Sequence, residues 1–295
     1  MRIVVAGASG FLGTHLTAHL RAEGHDVVAL VRRPASGPGE SQWDPYSREV
    51  DVEVIESADV VVNLAGAPTA GNPHSKKWAT ELRESRVATT ALLAQTIAAS
   101  AGQPAFLAGN GISFYGDHGA TSLTEDSDSR GEALLTQVTR DWQAATEPAA
   151  DAGSRVCILR TAPVLDRRSA PLKQLLLPFR LGLGSRLGDG RQYFPVISLR
   201  DWVGAVTMLA SSTVSGPVNL CCSQTPTNAE FTTALAAAVG RKARLVAPAA
   251  VLRPAAGAMA PELLGSVNAR PAVLEAAGYV FQDPDVRSVI AAALA

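Results

Sequence analysis

The stretch RIVVAGASGFLGTHLTAHLRA, residues 2–22, has the pattern of a strand, a glycine turn and a helix in direct succession. Arg2–Ala6 is a β-branched run typical of a strand buried on both faces. Leucines recur four positions apart along Phe11–Ala22, which predicts a helix with one buried stripe, and Gly24 ends it. The turn between them contains three glycines: Gly7, Gly10 and Gly13. Such a turn lets the backbone approach a pyrophosphate while the helix N-terminus offers free N–H groups, so the unit predicts a dinucleotide site, with a purely structural turn as the alternative.

The second predicted strand, Asp26–Val31, leads into Arg32 and Arg33. Proteins that select NAD usually place an acid at this point to accept a hydrogen bond from the ribose 2′-hydroxyl, and this chain has none there. Guanidinium groups hold a phosphate in bidentate fashion, so the two arginines favour NADP(H) over NAD as the cofactor. The alternative is that both are solvated loop residues.

Composition limits the fold and the partners. With 295 residues, 47% hydrophobic and 18% charged, the chain can bury a large core and forms one large or two modest domains. The net charge of −1 argues against a nucleic-acid partner. The absence of a signal sequence or a long apolar window predicts no membrane association and a cytoplasmic location.

Neither the cysteines nor the histidines suggest a metal site. Cys157, Cys221 and Cys222 lie in apolar runs without CxxC spacing, so buried thiols are expected. His15 and His19 stand four apart on the first helix, but no third ligand accompanies them. The sequence predicts no bound metal.

Several longer stretches carry a family resemblance. They are GxxGxxG at Gly7–Gly13, NLAG at Asn63–Gly66, Phe114-Tyr115-Gly116, Trp78 with Glu81 and Ser85-Arg86, the glycine-rich segment Leu175–Asp201, and Thr227–Arg241. By these residues the chain resembles, essentially from end to end, the extended short-chain dehydrogenase/reductase superfamily. More narrowly, it is similar to a divergent branch related to NAD-dependent epimerase/dehydratases with a DUF1731-type C-terminal segment.

The resemblance implies an α/β fold: a Rossmann-type, doubly wound parallel sheet with a small C-terminal substrate lobe. Residues 1–165 and 191–225 are expected to form the NADP-binding domain, and 166–190 and 226–295 the lobe. The resemblance also implies a homodimer and a cofactor site. Its members are Gly7, Ser9, Gly10, Phe11, Leu12 and Gly13 at the pyrophosphate, Val31, Arg32 and Arg33 at the 2′-phosphate, Leu64, Ala65 and Gly66 along the adenosine and ribose, Glu81 and Arg86 near the cofactor, and Pro163 at the nicotinamide.

The chain departs from the superfamily in its catalytic residues. Superfamily chemistry uses a Tyr with a Lys four residues later, so that the cation lowers the pKa of the phenol. None of the four tyrosines here has such a Lys, and alignment places Leu135 and Thr139 at the two positions. The usual Ser aligns with Asn110. The remaining candidates are Asn110, Ser113, Tyr115 and Asp117, with Lys76 and Lys77 on the facing loop. Tyr115 is the expected proton donor, and a packed, hydrogen-bonded tyrosine is the alternative.

Arg191 and Gln192 follow the glycine-rich loop and are the candidate substrate contacts. An Arg there suits a small anionic or nucleotide-sugar-like substrate, and the alternative is an ion pair with Asp189 or Asp201. Two functions fit the sequence. One is an atypical NADP(H)-dependent oxidoreductase or epimerase, and the other is a non-catalytic NADP(H)-binding sensor or regulator.

Overall fold

The computed structural model describes all residues from Met1 to Ala295 and is built around an eight-stranded sheet. The strands are β1 Arg2–Ala6, β2 Asp26–Val31, β3 Glu40–Asp44, β4 Glu49–Val50, β5 Val60–Asn63, β6 Ala105–Gly111, β7 Ser122–Leu123, β8 Val156–Thr161, β9 Val164–Leu165, β10 Ser185–Leu187, β11 Ile197–Ser198, β12 Gly216–Leu220, β13 Leu245–Ala247 and β14 Asn268–Ala269. The order in the main sheet is β12-β8-β6-β5-β1-β2-β3-β4, and only the β3–β4 pair is antiparallel. The strand order reverses between β1 and β5, which is where doubly wound sheets open a ligand crevice.

Helices cover both faces of this sheet. They are α1 Phe11–Ala22, α2 Val52–Glu56, α3 Lys76–Ala99, α4 Leu134–Ala144, α5 Glu147–Asp151, α6 Ala170–Arg180, α7 Leu199–Ser211, α8 Asn228–Ala238, α9 Ala249–Ala256, α10 Ala260–Leu264, α11 Ala272–Ala276 and α12 Val286–Leu294, with 3₁₀ turns at Ile112–Tyr115 and Gly257–Met259. Ile3 and Val5 of β1 pack with α1 and α7, whereas Val4 and Ala6 pack with α3 on the opposite face. The alternation explains why β1 is apolar throughout, and the predicted doubly wound α/β sheet is confirmed.

A separate apolar cluster fills the lobe. It joins α6, α8 and α12 through Leu172, Phe231 and Ile290, together with Leu165 and Cys222 from the ends of the sheet strands. Because strand residues contribute to this cluster, the lobe is packed firmly against the carboxyl edge of the sheet. The predicted division at residues 165, 190 and 225 stays a prediction.

Local signals fix most helix starts. Thr227 caps α8 in a capping box with Glu230, as the sequence predicts. In the apolar run Pro195–Leu199, only Ile197–Ser198 forms a strand, because the Ser198 side chain accepts a hydrogen bond from the backbone N–H of Asp201 and starts α7 there. All three cysteines are free and buried, which confirms the expected thiols.

Candidate functional site

The glycine turn after β1 is closely packed against the end of β5. Gly7 has a φ of +80°, and a Cβ on it would lie 2.6 Å from the carbonyl carbon of Leu64. A Cβ on Gly13 would lie 2.1 Å from the carbonyl oxygen of Gly7. Both distances are shorter than any non-bonded contact allows, so only glycine permits this turn to sit at the crevice.

The helix that follows the turn begins without a cap. Gly10 is the N-cap of α1, no side chain accepts from the first N–H groups, and the first turn carries no acid. Ser9 is exposed beside it and donates no hydrogen bond within the chain. The unpaired N–H groups and the positive end of the helix dipole therefore face the crevice, where an anionic group satisfies both.

The two arginines after β2 differ in their partners. The Arg33 guanidinium donates to both carboxylate oxygens of Glu40, at 2.8 and 2.6 Å, and it lowers the pKa of Glu40 to about 2 together with hydrogen bonds from Ser36. Arg32 is exposed and has no hydrogen bond or ion pair within the chain. The predicted pair of phosphate-binding arginines is thus reduced to one free guanidinium, because a neighbouring strand supplies an acid that occupies Arg33.

Arg86, on α3, is hydrogen-bonded to the loop that follows β5. Its Nη1 donates to the carbonyl oxygens of Ala67 and Leu82, at 3.1 and 3.0 Å, and its guanidinium lies over the Trp142 ring. Burial lowers the pKa of Arg86 to about 10, and no carboxylate pairs with it. The side chain packs beside Gly66, where a Cβ would lie 3.2 Å from its Cγ. A half-buried cation without a counter-ion therefore lies behind the Leu64–Gly66 segment.

Two predicted positions are less informative. Glu81 is exposed on α3 and forms no ion pair. Pro163 follows β8 and its carbonyl oxygen accepts from the N–H of Ile197 at 3.2 Å, which ties the loop to β11. The structure leaves both at the rim of the crevice without a distinctive contact.

Asn110 is occupied by the protein backbone. Its Nδ2 donates to the carbonyl oxygen of Thr139 at 3.0 Å, and its Oδ1 accepts from the N–H of Gly111 at 2.7 Å. Thr139, at the aligned Lys position, donates its hydroxyl to carbonyl oxygens of its own helix, α4. Asn110 therefore holds β6 to α4 and has little capacity left for a substrate carbonyl, contrary to its predicted catalytic role.

Tyr115 is fully buried rather than directed into the crevice. Its hydroxyl donates to Asn219 Oδ1 at 2.7 Å and accepts from Arg160 Nη1 at 2.8 Å. Burial raises the pKa of Tyr115, the opposite of what a proton donor at neutral pH requires. The predicted proton donor is therefore a packing residue, which was the alternative given by the sequence.

The Tyr115→Phe substitution is accordingly expected to affect stability and not cofactor binding. It leaves Asn219 Oδ1 and one N–H of Arg160 Nη1 without a buried partner, since Nη1 keeps only its bond to the carbonyl oxygen of Glu125, and this costs about 1–3 kcal/mol of unfolding free energy. Urea denaturation measures the loss, and Tyr46→Phe, at a tyrosine that is 58% exposed, is the matched control. An unchanged stability in Tyr115→Phe contradicts the packing role.

Ser113 faces a carboxyl that sequence reasoning missed. Its Oγ donates to Glu262 Oε2 at 2.6 Å, across 149 positions of sequence. Glu262 comes from α10 in the lobe and is the only charged residue between Arg253 and Arg270. This isolation could have identified Glu262 from the sequence, because burying an acid in an apolar tract costs free energy unless the acid has a specific role. Of the three predicted catalytic residues, Ser113 alone is hydrogen-bonded to a carboxyl group.

The predicted substrate contacts behave differently from each other. Gln192 Nε2 donates to the carbonyl oxygens of Leu187 and Leu263, at 3.0 and 3.1 Å, so its amide joins the glycine-rich loop to α10. The Arg191 side chain is exposed and pairs with neither Asp189 nor Asp201. Only its backbone N–H bonds the Asp189 carboxylate. Arg191 thus keeps a free guanidinium, whereas the Gln192 amide is used in hydrogen bonds to the protein backbone.

Two further features bear on the class of site. No cluster of three or more His, Cys, Asp or Glu side chains is arranged to hold a metal ion. None of the helices combines the length and apolar character that crossing a bilayer requires.

Comparison with known proteins extends over the whole chain. Residues 3–221 match the NAD dependent epimerase/dehydratase family, and residues 247–293 match a domain of unknown function, DUF1731. Among curated relatives, the epimerase family protein Mb2239 of Mycobacterium bovis is 40% identical over 95% of this chain and 93% of its own length. The mouse epimerase family protein SDR39U1 is 35% identical over 98% of both chains.

Solved structures agree with the sequence relatives. The crystal structure of human epimerase family protein SDR39U1 (isoform 2) with NADPH has a TM-score of 0.86 at 33% identity and covers 98% of each chain. The nucleoside-diphosphate sugar epimerase from Corynebacterium glutamicum has a TM-score of 0.80 at 32% identity, covering 100% of this chain and 58% of that one. The chain therefore belongs to the NAD dependent epimerase/dehydratase family and has the extended short-chain dehydrogenase/reductase fold.

Proposed function

We propose that this chain is an atypical NADP(H)-dependent oxidoreductase or epimerase that acts on a small anionic or nucleotide-sugar-like substrate. One observation carries the proposal. The uncapped N-terminus of α1 and the free guanidinium of Arg32 follow two neighbouring parallel strands, β1 and β2, at the same edge of the sheet. A pyrophosphate and a 2′-phosphate are the two anionic groups of one NADPH molecule, and this pair of sites suits them.

The residues around the crevice fit a bound dinucleotide. The Cβ positions of Gly7 and Gly13 are filled by protein backbone, so only glycine lets this turn pack at the crevice beside the free N–H groups of α1, which suit phosphate oxygens. We assign the pyrophosphate to Ser9, Gly10, Phe11 and Leu12, the 2′-phosphate to Arg32 with Val31 beside it, and the adenosine and ribose to Leu64, Ala65 and Gly66. Arg86 supplies positive charge behind that last segment, and Pro163 lies on the nicotinamide side. When bound, NADPH supplies a hydride, and the NADPH in the human relative supports this assignment.

Arg191 supports an anionic substrate. Its guanidinium is exposed after the glycine-rich loop and has no acidic partner, so it is free to bind a carboxylate or phosphate. The relative from Corynebacterium glutamicum, named as a nucleoside-diphosphate sugar epimerase, acts on a molecule of this class. A small molecule is thus the proposed partner, the net charge of −1 disfavours nucleic acid, and the homodimer implied by the family stays a prediction.

A non-catalytic NADP(H) sensor is the second candidate. It is favoured by the missing Tyr/Lys pair and by the engagement of Tyr115 and Asn110 with other protein groups. The two functions differ in one observation, because an enzyme oxidises NADPH in the presence of a substrate and a sensor only binds it. A panel of carbonyl compounds that includes nucleotide-linked keto sugars discriminates between them.

Substitution of Arg32 tests the cofactor assignment. Arg32→Ala is expected to weaken NADPH binding about ten-fold or more, since it removes the free guanidinium from the 2′-phosphate, and to leave the weak binding of NADH unchanged. Calorimetric titration with both nucleotides measures this. Arg33→Ala is the matched control and is expected to change NADPH affinity by less than about three-fold, because Arg33 is held by Glu40.

Two results contradict this assignment. If Arg33→Ala weakens NADPH binding more than Arg32→Ala, the ion pair with Glu40 must open on binding and Arg33 is the phosphate ligand. If the wild-type protein binds no nucleotide, the glycine turn is structural, and both the enzyme and the sensor hypotheses are wrong.

A further inference from the structure

The lobe places one carboxyl group beside the end of a central strand. Glu262 lies on α10, and its Oε2 accepts the hydrogen bond of Ser113, which follows β6 directly. β6 lies between β5 and β8 in the sheet, so its carboxyl end opens on the crevice assigned to the cofactor and substrate. An acid from the DUF1731 segment therefore reaches the edge where the chemistry of such sheets takes place.

The two oxygens of this carboxyl have different surroundings. Oε2 is held by Ser113, whereas Oε1 forms no hydrogen bond within the chain, and the residue is half-buried. No Lys, Arg or His forms an ion pair with Glu262. Burial raises the pKa of Glu262, and the hydrogen bond from Ser113 opposes that rise. Because Ser113 occupies Oε2, Oε1 is the oxygen left free to carry a proton.

Glu262 also lies near the position that the missing tyrosine would occupy. The family Tyr aligns with Leu135 in the first turn of α4. The next residue, Thr136, donates its hydroxyl to the carbonyl oxygen of Ser113 at 3.0 Å. The lobe turn Gly257–Met259 packs on α4, and Glu262 follows three residues later. The carboxyl from the lobe and the helix that lacks the phenol thus both form hydrogen bonds with Ser113.

The other titratable groups nearby are engaged elsewhere. Asp117 Oδ1 accepts from the N–H groups of Gly119 and Ser266. His118 is buried with its Nε2 3.0 Å from the carbonyl oxygen of Tyr115, and His74 Nε2 lies 3.3 Å from that of Ala255. Asp117 also keeps a free oxygen, Oδ2, but it is exposed, whereas Glu262 is half-buried and is hydrogen-bonded to the side chain of Ser113.

We propose that Glu262 is the catalytic residue that exchanges a proton with the substrate in place of the missing tyrosine, and that Ser113 positions it. The inference rests on the proposed NADP(H)-dependent reaction. In the reducing direction, the carbonyl carbon takes up the hydride that NADPH supplies, and the carbonyl oxygen takes up the proton of Glu262. The products are an alcohol, NADP⁺ and the Glu262 carboxylate, which regains its proton from water. Oxidation runs the same transfers in reverse.

The test compares Glu262→Gln with the wild-type protein. The amide keeps the size of the side chain and an oxygen for Ser113 but holds no transferable proton. With phenanthrenequinone as a carbonyl probe, kcat is expected to fall about a hundred-fold or more, while KM and NADPH affinity stay within about two-fold. Glu275→Gln, which removes a lobe carboxylate paired with Arg270, is the matched control and is expected to leave kcat unchanged.

Ser113→Ala gives a second test, because a purely structural role of Glu262 would not change the pH dependence of kcat. It removes the hydrogen bond that lowers the pKa of Glu262, so the limb of the kcat–pH profile that reports the acid is expected to move to higher pH. Difference infrared titration of wild type against Glu262→Gln, which needs no turnover, is expected to show one carboxyl that titrates above the ordinary value of about 4.3.

The outcomes separate the two proposals. Wild-type turnover in Glu262→Gln, or the absence of a high-pKa carboxyl in the infrared titration, overturns the role of Glu262 and leaves the cofactor assignment standing. A wild-type protein that binds NADPH but oxidises it with no carbonyl in the panel overturns the proposed reaction, and the role of Glu262 with it.

Discussion

Gly13→Ala is expected to weaken NADPH binding about a hundred-fold and to lower the free energy of unfolding by about 1–2 kcal/mol. The new methyl group would lie 2.1 Å from the carbonyl oxygen of Gly7 and 2.8 Å from the Cα of Ala8. Both neighbours are backbone atoms, so the turn itself must move to relieve the overlap. That turn is the part of the chain assigned to the pyrophosphate.

The sign of the stability change makes the prediction specific. Gly13 lies inside α1, where replacing Gly by Ala ordinarily stabilises a helix by up to about 1 kcal/mol. Forcing one extra methyl group into a closed contact costs about 1–3 kcal/mol. A net loss of stability therefore means that the contact with Gly7 outweighs helix propensity.

Urea denaturation and calorimetric titration with NADPH measure the two effects. Gly37→Ala is the control, because Gly37 is exposed, has no neighbour within 4 Å of its Cβ position and lies outside the helices and strands. We expect it to change neither quantity. If Gly13→Ala is more stable than wild type and binds NADPH with unchanged affinity, the turn is looser than described and the assigned phosphate site is incorrect.

Local patterns in the sequence account for much of the fold. The first strand, the first helix and the second strand have the predicted bounds, since each is specified by its own residues and by the glycines between them. Thr227 and Glu230 form the predicted capping box for the same reason. The doubly wound sheet follows from the repetition of such units.

The catalytic residues were harder to predict because distant residues determine their surroundings. Tyr115 looks like a crevice tyrosine in sequence, yet Asn219 and Arg160 engage its hydroxyl from strands β12 and β8. The pairing of Ser113 with Glu262 spans 149 positions and depends on how the lobe packs. No local pattern encodes either contact.

The two arginines after β2 show the same contrast between what local sequence determines and what tertiary contacts determine. The sequence places Arg32 and Arg33 correctly after β2, and their chemistry is the same. Only the position of Glu40 on the neighbouring strand β3 makes one of them a fixed ion pair and leaves the other free. Which arginine is proposed to bind the phosphate therefore depends on a tertiary contact, although the position of the two arginines after β2 follows from the sequence alone.

Arg160→Met is expected to cause the largest loss of stability, about 3–5 kcal/mol, because it removes a buried cation around which several polar groups are arranged. Arg160 is only 2% exposed and donates to the Tyr115 hydroxyl, the carbonyl oxygen of Glu125 and Gln143 Oε1. Its guanidinium also lies 3.6 Å from the centre of the Phe114 ring. Methionine keeps part of the packing and none of these hydrogen bonds.

The pH dependence of this loss identifies its electrostatic part. Burial raises the pKa of Glu125, and the charge of Arg160 opposes that rise. Without Arg160 the pKa of Glu125 in the folded protein rises further above its unfolded value. A group with a raised folded pKa binds more protons when folded, so stability falls as pH increases between the two values. The deficit of Arg160→Met is therefore expected to be smaller at about pH 5 than at about pH 8.

Urea denaturation at both pH values tests this, with Arg130→Met as the control. Arg130 pairs with Asp128 at 2.8 Å, but both side chains are more than half exposed, and such pairs contribute about 1 kcal/mol or less. If the two variants lose similar amounts of unfolding free energy, Arg160 is solvated and does not hold the Tyr115 hydroxyl by a hydrogen bond. In that case the phenol becomes available again as a proton donor and competes with Glu262 for that role. The free energy of unfolding of Arg160→Met therefore bears directly on which side chain exchanges the proton.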